Sequence, residues 1–226
     1  MSSHSHQNLH SRLSAAGLLL TLGIIYGDIG TSPLYVMKSI IGDNIINSEL
    51  ILGGLSCIIW TLTLQTTLKY VIITLNADNH GEGGIFSLYS LVKRTKIQWL
   101  IVPAIIGGSL LLAEGIITPP ISVSSAVEGL LIFKPDIPTI PIVIAILFVL
   151  FTIQQFGAKI VTKFFSPVML VWFSMLGVLG VIQITQNFEV LKAINPYYAY
   201  ELLAKYPQGF WLLGAIFLCT TGAEAL

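Results

Sequence analysis

Four carboxylates stand in stretches of sequence that are otherwise apolar: Asp28, Glu114, Glu128 and Glu224. A charged side chain at the centre of a lipid bilayer costs on the order of 2.5–3.5 kcal/mol to insert, and it persists mainly where it binds or moves something charged. Around the first of them the chain reads Gly27-Asp28-Ile29-Gly30-Thr31-Ser32-Pro33-Leu34-Tyr35. At about 100° per residue, Asp28, Thr31, Ser32 and Tyr35 fall on one side of a helix. A carboxylate, two hydroxyls and a phenol make an all-oxygen environment, which suits hard cations. Two glycines weaken a helix here, and Pro33 has no N–H to give the carbonyl of Ile29. The spacing therefore predicts a discontinuous helix with free backbone groups. Lipid tolerates such groups only where they face protein or a water-filled cavity. Unwound carbonyls of this kind coordinate Na⁺ or H⁺ in secondary transporters.

The second cluster is Glu114, Thr118, Ser122, Ser125 and Glu128, at offsets 0, 4, 8, 11 and 14 in an apolar run. On a helix these gather within roughly 120° of arc. Pro119 and Pro120 free the carbonyls of Gly115 and Ile116 and predict a break in the helix. Back-bonding of Thr and Ser to their own helix would explain the hydroxyls. It would not explain two carboxylates on one stripe. The third cluster, Thr220-Thr221-Gly222-Ala223-Glu224, repeats the composition of the first: hydroxyls, a glycine and a carboxylate. At each carboxylate the plainer account is a group satisfied by hydrogen bonds or lying near the end of a span.

The elements that carry these clusters follow from composition. The chain has 226 residues, of which 54% are hydrophobic and only 10% charged. An ordinary soluble domain carries roughly 25% charged residues, so a soluble enzyme is not the first reading. The mean hydropathy is +0.84. About 20 apolar residues cross a bilayer, and six segments are read as spans: 13–41, interrupted at 27–33; 50–75; 98–133; the short 140–156; 165–184; and one that starts near Phe210. The first is read as a span and not as a cleaved signal peptide, because Arg12 alone precedes its apolar stretch and Tyr26-Gly27-Asp28 follows it.

Loop cations set the orientation. With the N-terminus in the cytoplasm, Arg12, Lys69, Lys93, Arg94, Lys96, Lys159 and Lys163 lie inside. Lys38, Lys134, Lys192 and Lys205 lie outside. Residues 1–12 form a cytoplasmic tail, and 13–226 form the transmembrane domain. His4, His6 and His10 in the tail are read as part of a disordered segment and not as a metal site. The loop 77–84 has glycines but no Gly-Lys-Ser/Thr ending. It is read as a turn or gating element, not a nucleotide site. Net charge is zero, which argues against a nucleic-acid partner. Cys57 and Cys219 sit in apolar runs as small core residues.

Four stretches together resemble the Kup/HAK/KT potassium-uptake family. They are Tyr26 through Tyr35, the loop Ala77 through Gly84, Ile121 through Gly129, and Thr221 through Ala225. The resemblance covers nearly the whole chain after the tail. It implies an all-α polytopic membrane protein of LeuT-like (amino acid–polyamine–organocation) architecture. This chain would supply the first repeat and the start of helix 6, with helices 1 and 6 broken at the site. The implied function is potassium uptake across the cytoplasmic (inner) membrane as a K⁺/H⁺ symporter working by alternating access, a transporter and not an enzyme. The implied K⁺ ligands are Asp28, Tyr35, Glu114, Thr118, Ser122 and Thr221. Glu114, Glu128 and Glu224 are the candidates for proton coupling. Burial raises a carboxylate's pKa and a bound cation lowers it, and competition between the two would couple the fluxes. No cofactor is implied beyond the transported K⁺ and H⁺.

At the position of Glu114 the family more often has Asp, which would change the reach of the charge by one methylene. Full members carry about a dozen spans and a cytoplasmic C-terminal domain. The 226 residues are therefore read as a truncated portion, inactive alone unless a missing C-terminal half or a homodimer partner supplies the rest. An intramembrane aspartyl protease is the competing class. It needs two aspartates in neighbouring spans, and Asp28 has only glutamates for company.

Overall fold

The computed structural model describes residues 27, 29–42, 45–74, 83–93, 98–155, 158–206 and 209–222. The polar tail, most of the first expected span, Asp28, most of the 77–84 loop and Glu224 lie outside them. Among the described residues all regular structure is helical.

Helix α1 is Ser32–Ile41, with a proline in its first turn. That position needs no amide hydrogen, so Pro33 starts this helix where it would have broken a longer one. Gly27 and Ile29 are helical, and Gly30 and Thr31 form a turn before α1. The expected interruption of the first span is thus present. Helix α2, Ser48–Thr61, is capped by Asn47, whose side chain accepts a hydrogen bond from the Leu50 amide at 2.7 Å. It runs on as a π-helix over Leu62–Ile73. The wider i→i+5 turn leaves the Thr66 hydroxyl buried and without a partner. Helix α3 is Ile85–Lys93 and α4 is Ile101–Glu128, extended by a 3₁₀ turn to Ile132. Helices α5, Thr139–Gln154, and α6, Ala158–Gln186, follow. After a 3₁₀ segment at Phe188–Ile194 come α7, Tyr197–Lys205, and α8, Gly209–Phe217.

Three helical stretches are long and apolar enough to cross a bilayer: Ser48–Ile73, Ile101–Ile132 and Phe165–Gln186. The shortest has 22 residues. At 1.5 Å per residue it reaches about 33 Å, the depth of the hydrocarbon layer. They match the expected second, third and fifth spans. Thr139–Gln154 and Trp211–Thr220 are shorter apolar helices at the expected fourth and sixth. Helix α5 is apolar all round yet buries no residue, with Phe148 72% exposed. A helix of that kind belongs in lipid.

One expectation fails. The third span was expected to break at Pro119-Pro120, but α4 runs through both prolines without interruption. The residue four before Pro119 is Gly115, whose Cβ position has nothing within 4 Å. Because the helix is continuous, the offsets of the polar stripe keep their phase.

The core lies where α1, α2 and α8 converge. Val36, Ile40, Ile216 and Cys219 are almost wholly buried, with Tyr35, Leu50, Cys57, Ile58 and Leu212 around them. In lipid, helices associate by close packing and hydrogen bonds more than by burial of apolar surface. Small residues accordingly mark the contact between α2 and α7. A Cβ on Gly53 would come 2.7 Å from the Leu202 Cβ and 3.2 Å from the Tyr198 carbonyl. Neither is the far end of a flexible side chain, so the helices would have to separate. Gly53→Val is expected to destabilise the fold by about 1–3 kcal/mol. The check is the Tm of the purified protein, which should fall; an unchanged Tm would show that α7 does not seat on α2 in this way.

The 3₁₀ segment docks on α2 through polar groups. Trp60 donates to the Ile194 carbonyl at 2.9 Å and Ser56 to the Asn195 carbonyl at 3.0 Å. Farther out, Lys192 bonds Glu189 at 2.8 Å. That hydrogen bond, and then the ammonium charge, hold the Glu189 carboxyl below its usual range. The pair is fully exposed, and such pairs add little to stability.

Candidate functional site

Three elements meet at the polar residues singled out by sequence. Helix α1 packs on α4, on α8 and on the 3₁₀ turn Leu218–Thr220 that ends α8. Ser32, at the first position of α1, has no exposed surface. Tyr35 lies one turn on, and its hydroxyl donates to the Ser32 hydroxyl at 2.9 Å. Tyr35 belongs to the same buried cluster as Cys219. Two residues past Cys219, Thr221 is 3% exposed and opens a turn with Gly222. Gly222 has φ +93°, a left-handed conformation that side chains rarely adopt. Helix α8 therefore ends in a turn, and its closing 3₁₀ segment packs on α1.

From α4, Ile121 packs against that cluster. Thr118, three residues earlier, is buried. Ser122 is half-buried, and its hydroxyl oxygen is wholly enclosed without a hydrogen-bond partner among the described residues. A buried hydroxyl left unpaired costs about 1–3 kcal/mol unless something completes it. Glu114 lies one turn before Thr118 and is half-buried. Among the described residues it forms no ion pair. The structure thus buries Tyr35 where α1, α2 and α8 converge and Thr221 just past the end of α8, and it carries Thr118 and Ser122 on a helix that packs on α1. Asp28 and Glu224 lie outside the described residues.

Glu128 has different surroundings. Its carboxylate is bonded by the Lys38 ammonium from the last turn of α1, with the Ser124 hydroxyl 3.5 Å away. The pair ties the far end of α1 to the end of α4. Sequence offered Glu128 no nearby cation, because its partner is 90 residues away.

Backbone groups at the first interruption are partly taken. The Gly27 carbonyl accepts from the Thr31 hydroxyl at 3.3 Å, and the Thr31 carbonyl from the Leu34 amide at 3.2 Å. The Gly30 carbonyl accepts from the Trp172 indole of α6, also at 3.3 Å. Sequence reading missed Trp172. Its signal was there: an indole N–H inside an aliphatic span must find an acceptor.

Hydroxyl-bearing residues of α1 and α4 thus lie on helices that pack together, and among the described residues no nucleophile–base pair accompanies them. A family-level sequence profile, the K+ potassium transporter integral membrane domain, matches residues 15–226. A protein of Flavobacterium psychrophilum described as a "Probable potassium transport system protein Kup" is 72% identical over 226 residues, covering 100% of this chain and 35% of the relative. One of the same description from Cytophaga hutchinsonii is 68% identical, covering 96% of this chain and 34% of its own. One from Enterococcus faecalis is 50% identical, covering 95% and 34%. The chain spans about a third of the length of the relatives it matches. No solved structure matches it.

Proposed function

Because this chain belongs to the K+ potassium transporter family, we propose that it forms a wall of a path taking potassium ions across the cytoplasmic membrane. The observation that carries this reading is the packing of α1, which follows the turn at Gly30–Thr31, against the end of α8 and against α4, where the Ser122 hydroxyl is enclosed without a partner among the described residues. A dehydrated K⁺ would be held there by Asp28, Glu114, the Tyr35, Thr118, Ser122 and Thr221 oxygens, and freed carbonyls. The unpartnered Ser122 hydroxyl supports this assignment, since a bound cation would complete its coordination.

Protons would drive uptake as symport. Glu114 is the favoured proton carrier, because it has no counter-charge among the described residues, whereas Glu128 already faces Lys38. Glu224 remains a third candidate. The mechanism is alternating access in a LeuT-like frame of two inverted repeats, with the N-terminus in the cytoplasm. A C-terminal half or a homodimer partner would supply the remaining walls. Alone, these 226 residues are proposed to be inactive.

The test uses a chimera in which these residues replace the matching segment of the Flavobacterium psychrophilum relative. Expressed in cells lacking their own potassium uptake, it should accumulate rubidium, and collapsing the proton gradient should stop it. A chimera present in the membrane that accumulates none would refute the reading.

A further inference from the structure

Trp172, on α6, bonds into the first interruption, its indole N–H reaching the Gly30 carbonyl from 142 positions away. The inward face of α6 is otherwise nearly apolar. Ser166 and Met169 are buried there, Trp172 and Phe173 are half-buried, and Val168 and Val171 point outward. The indole has a single hydrogen to give and accepts none. It gives it to a carbonyl that a continuous helix would have engaged in its own ladder. Gly30 itself is buried, where a carbonyl left without a donor is costly.

A cation and an indole hydrogen are both positive at their point of contact and compete for the electron density of one oxygen. We propose that Trp172 is a positioning residue of the ion path: its indole N–H occupies the Gly30 carbonyl when no ion is bound and yields that oxygen when the ion arrives. This rests on the proposed potassium function and adds to it a stand-in donor that keeps the empty site satisfied. Without such a donor the empty site holds an unpaired buried carbonyl, which raises its energy relative to the loaded site. Removing the N–H therefore makes the ion bind tighter and leave more slowly. A residue that only packs would, when trimmed, loosen the site and weaken binding.

The decisive variant replaces Trp172 in the chimera by 3-benzothienylalanine, which keeps the shape of the indole and lacks the N–H. Trp172→Phe is the second variant. Equilibrium binding of rubidium to purified protein should show half-saturation at a concentration about three- to tenfold lower than wild type, the size of one neutral hydrogen bond. The maximal uptake rate should fall in parallel. Half-saturation that is unchanged or higher in both variants overturns the assignment. If the wild-type chimera binds no rubidium, the potassium function fails, and this assignment with it. Wild-type binding with unmoved variants sinks the role of Trp172 alone.

Discussion

Replacing Glu114 by glutamine in the chimera is expected to lower rubidium uptake about ten- to hundredfold, with the amount of protein in the membrane unchanged. Glutamine keeps the shape and removes the charge. Glu114 sits one turn before the buried Thr118 on a continuous helix, half-buried and without an ion pair among the described residues. An interaction with a charged group contributes about 1.5–3 kcal/mol, and each 1.4 kcal/mol is about tenfold. The same change at Glu128 should cost less, because that charge already faces Lys38. Initial uptake rates at several external pH values give the check. If Glu114→Gln transported at the wild-type rate with the same pH dependence, Glu114 would be neither ligand nor proton carrier.

The second large effect is expected at Gly222. Its φ of +93° suits glycine and strains a β-branched residue. Gly222→Val would hold a strained backbone at a cost of about 1–3 kcal/mol, or would relax by continuing the helix. Either outcome moves the buried Thr221. Uptake should fall about five- to hundredfold, with the loss mainly in apparent affinity for rubidium. Gly222→Ala should lose less, since alanine lacks the branched Cβ. Equal, wild-type affinities in both variants would mean that the turn at 221–222 does not shape the site.

Sequence was most informative where a physical rule acts locally. Apolar length alone placed the spans at Ser48–Ile73, Ile101–Ile132 and Phe165–Gln186. The two glycines and Pro33 pointed to an interruption within 27–33, and a turn at Gly30–Thr31 lies there, with Pro33 in the first turn of the helix that follows. The same rule misled at Pro119-Pro120, where α4 continues past both rings. Proline removes an amide and adds a clash, but whether the helix parts depends on the room around it. The π-helix at Leu62–Ile73 had no sequence signal. Its apolar pattern differs little from that of an α-helix, and it buries no residue. The partners that define the site electrostatically were also hidden. Lys38 with Glu128 and Trp172 with Gly30 are separated by 90 and 142 residues, and only the fold brings each pair together.

The central claim is that a potassium ion sits between the interruption of the first span and the polar face of α4. The most direct measurement is rubidium uptake by the Asp28→Asn chimera in cells lacking their own potassium uptake. Asparagine keeps the size of the side chain and removes the one negative charge at the interruption. Uptake is predicted to fall to the level of cells without the chimera, with wild-type amounts of protein in the membrane. Uptake at the wild-type rate would contradict the account and place the ion elsewhere.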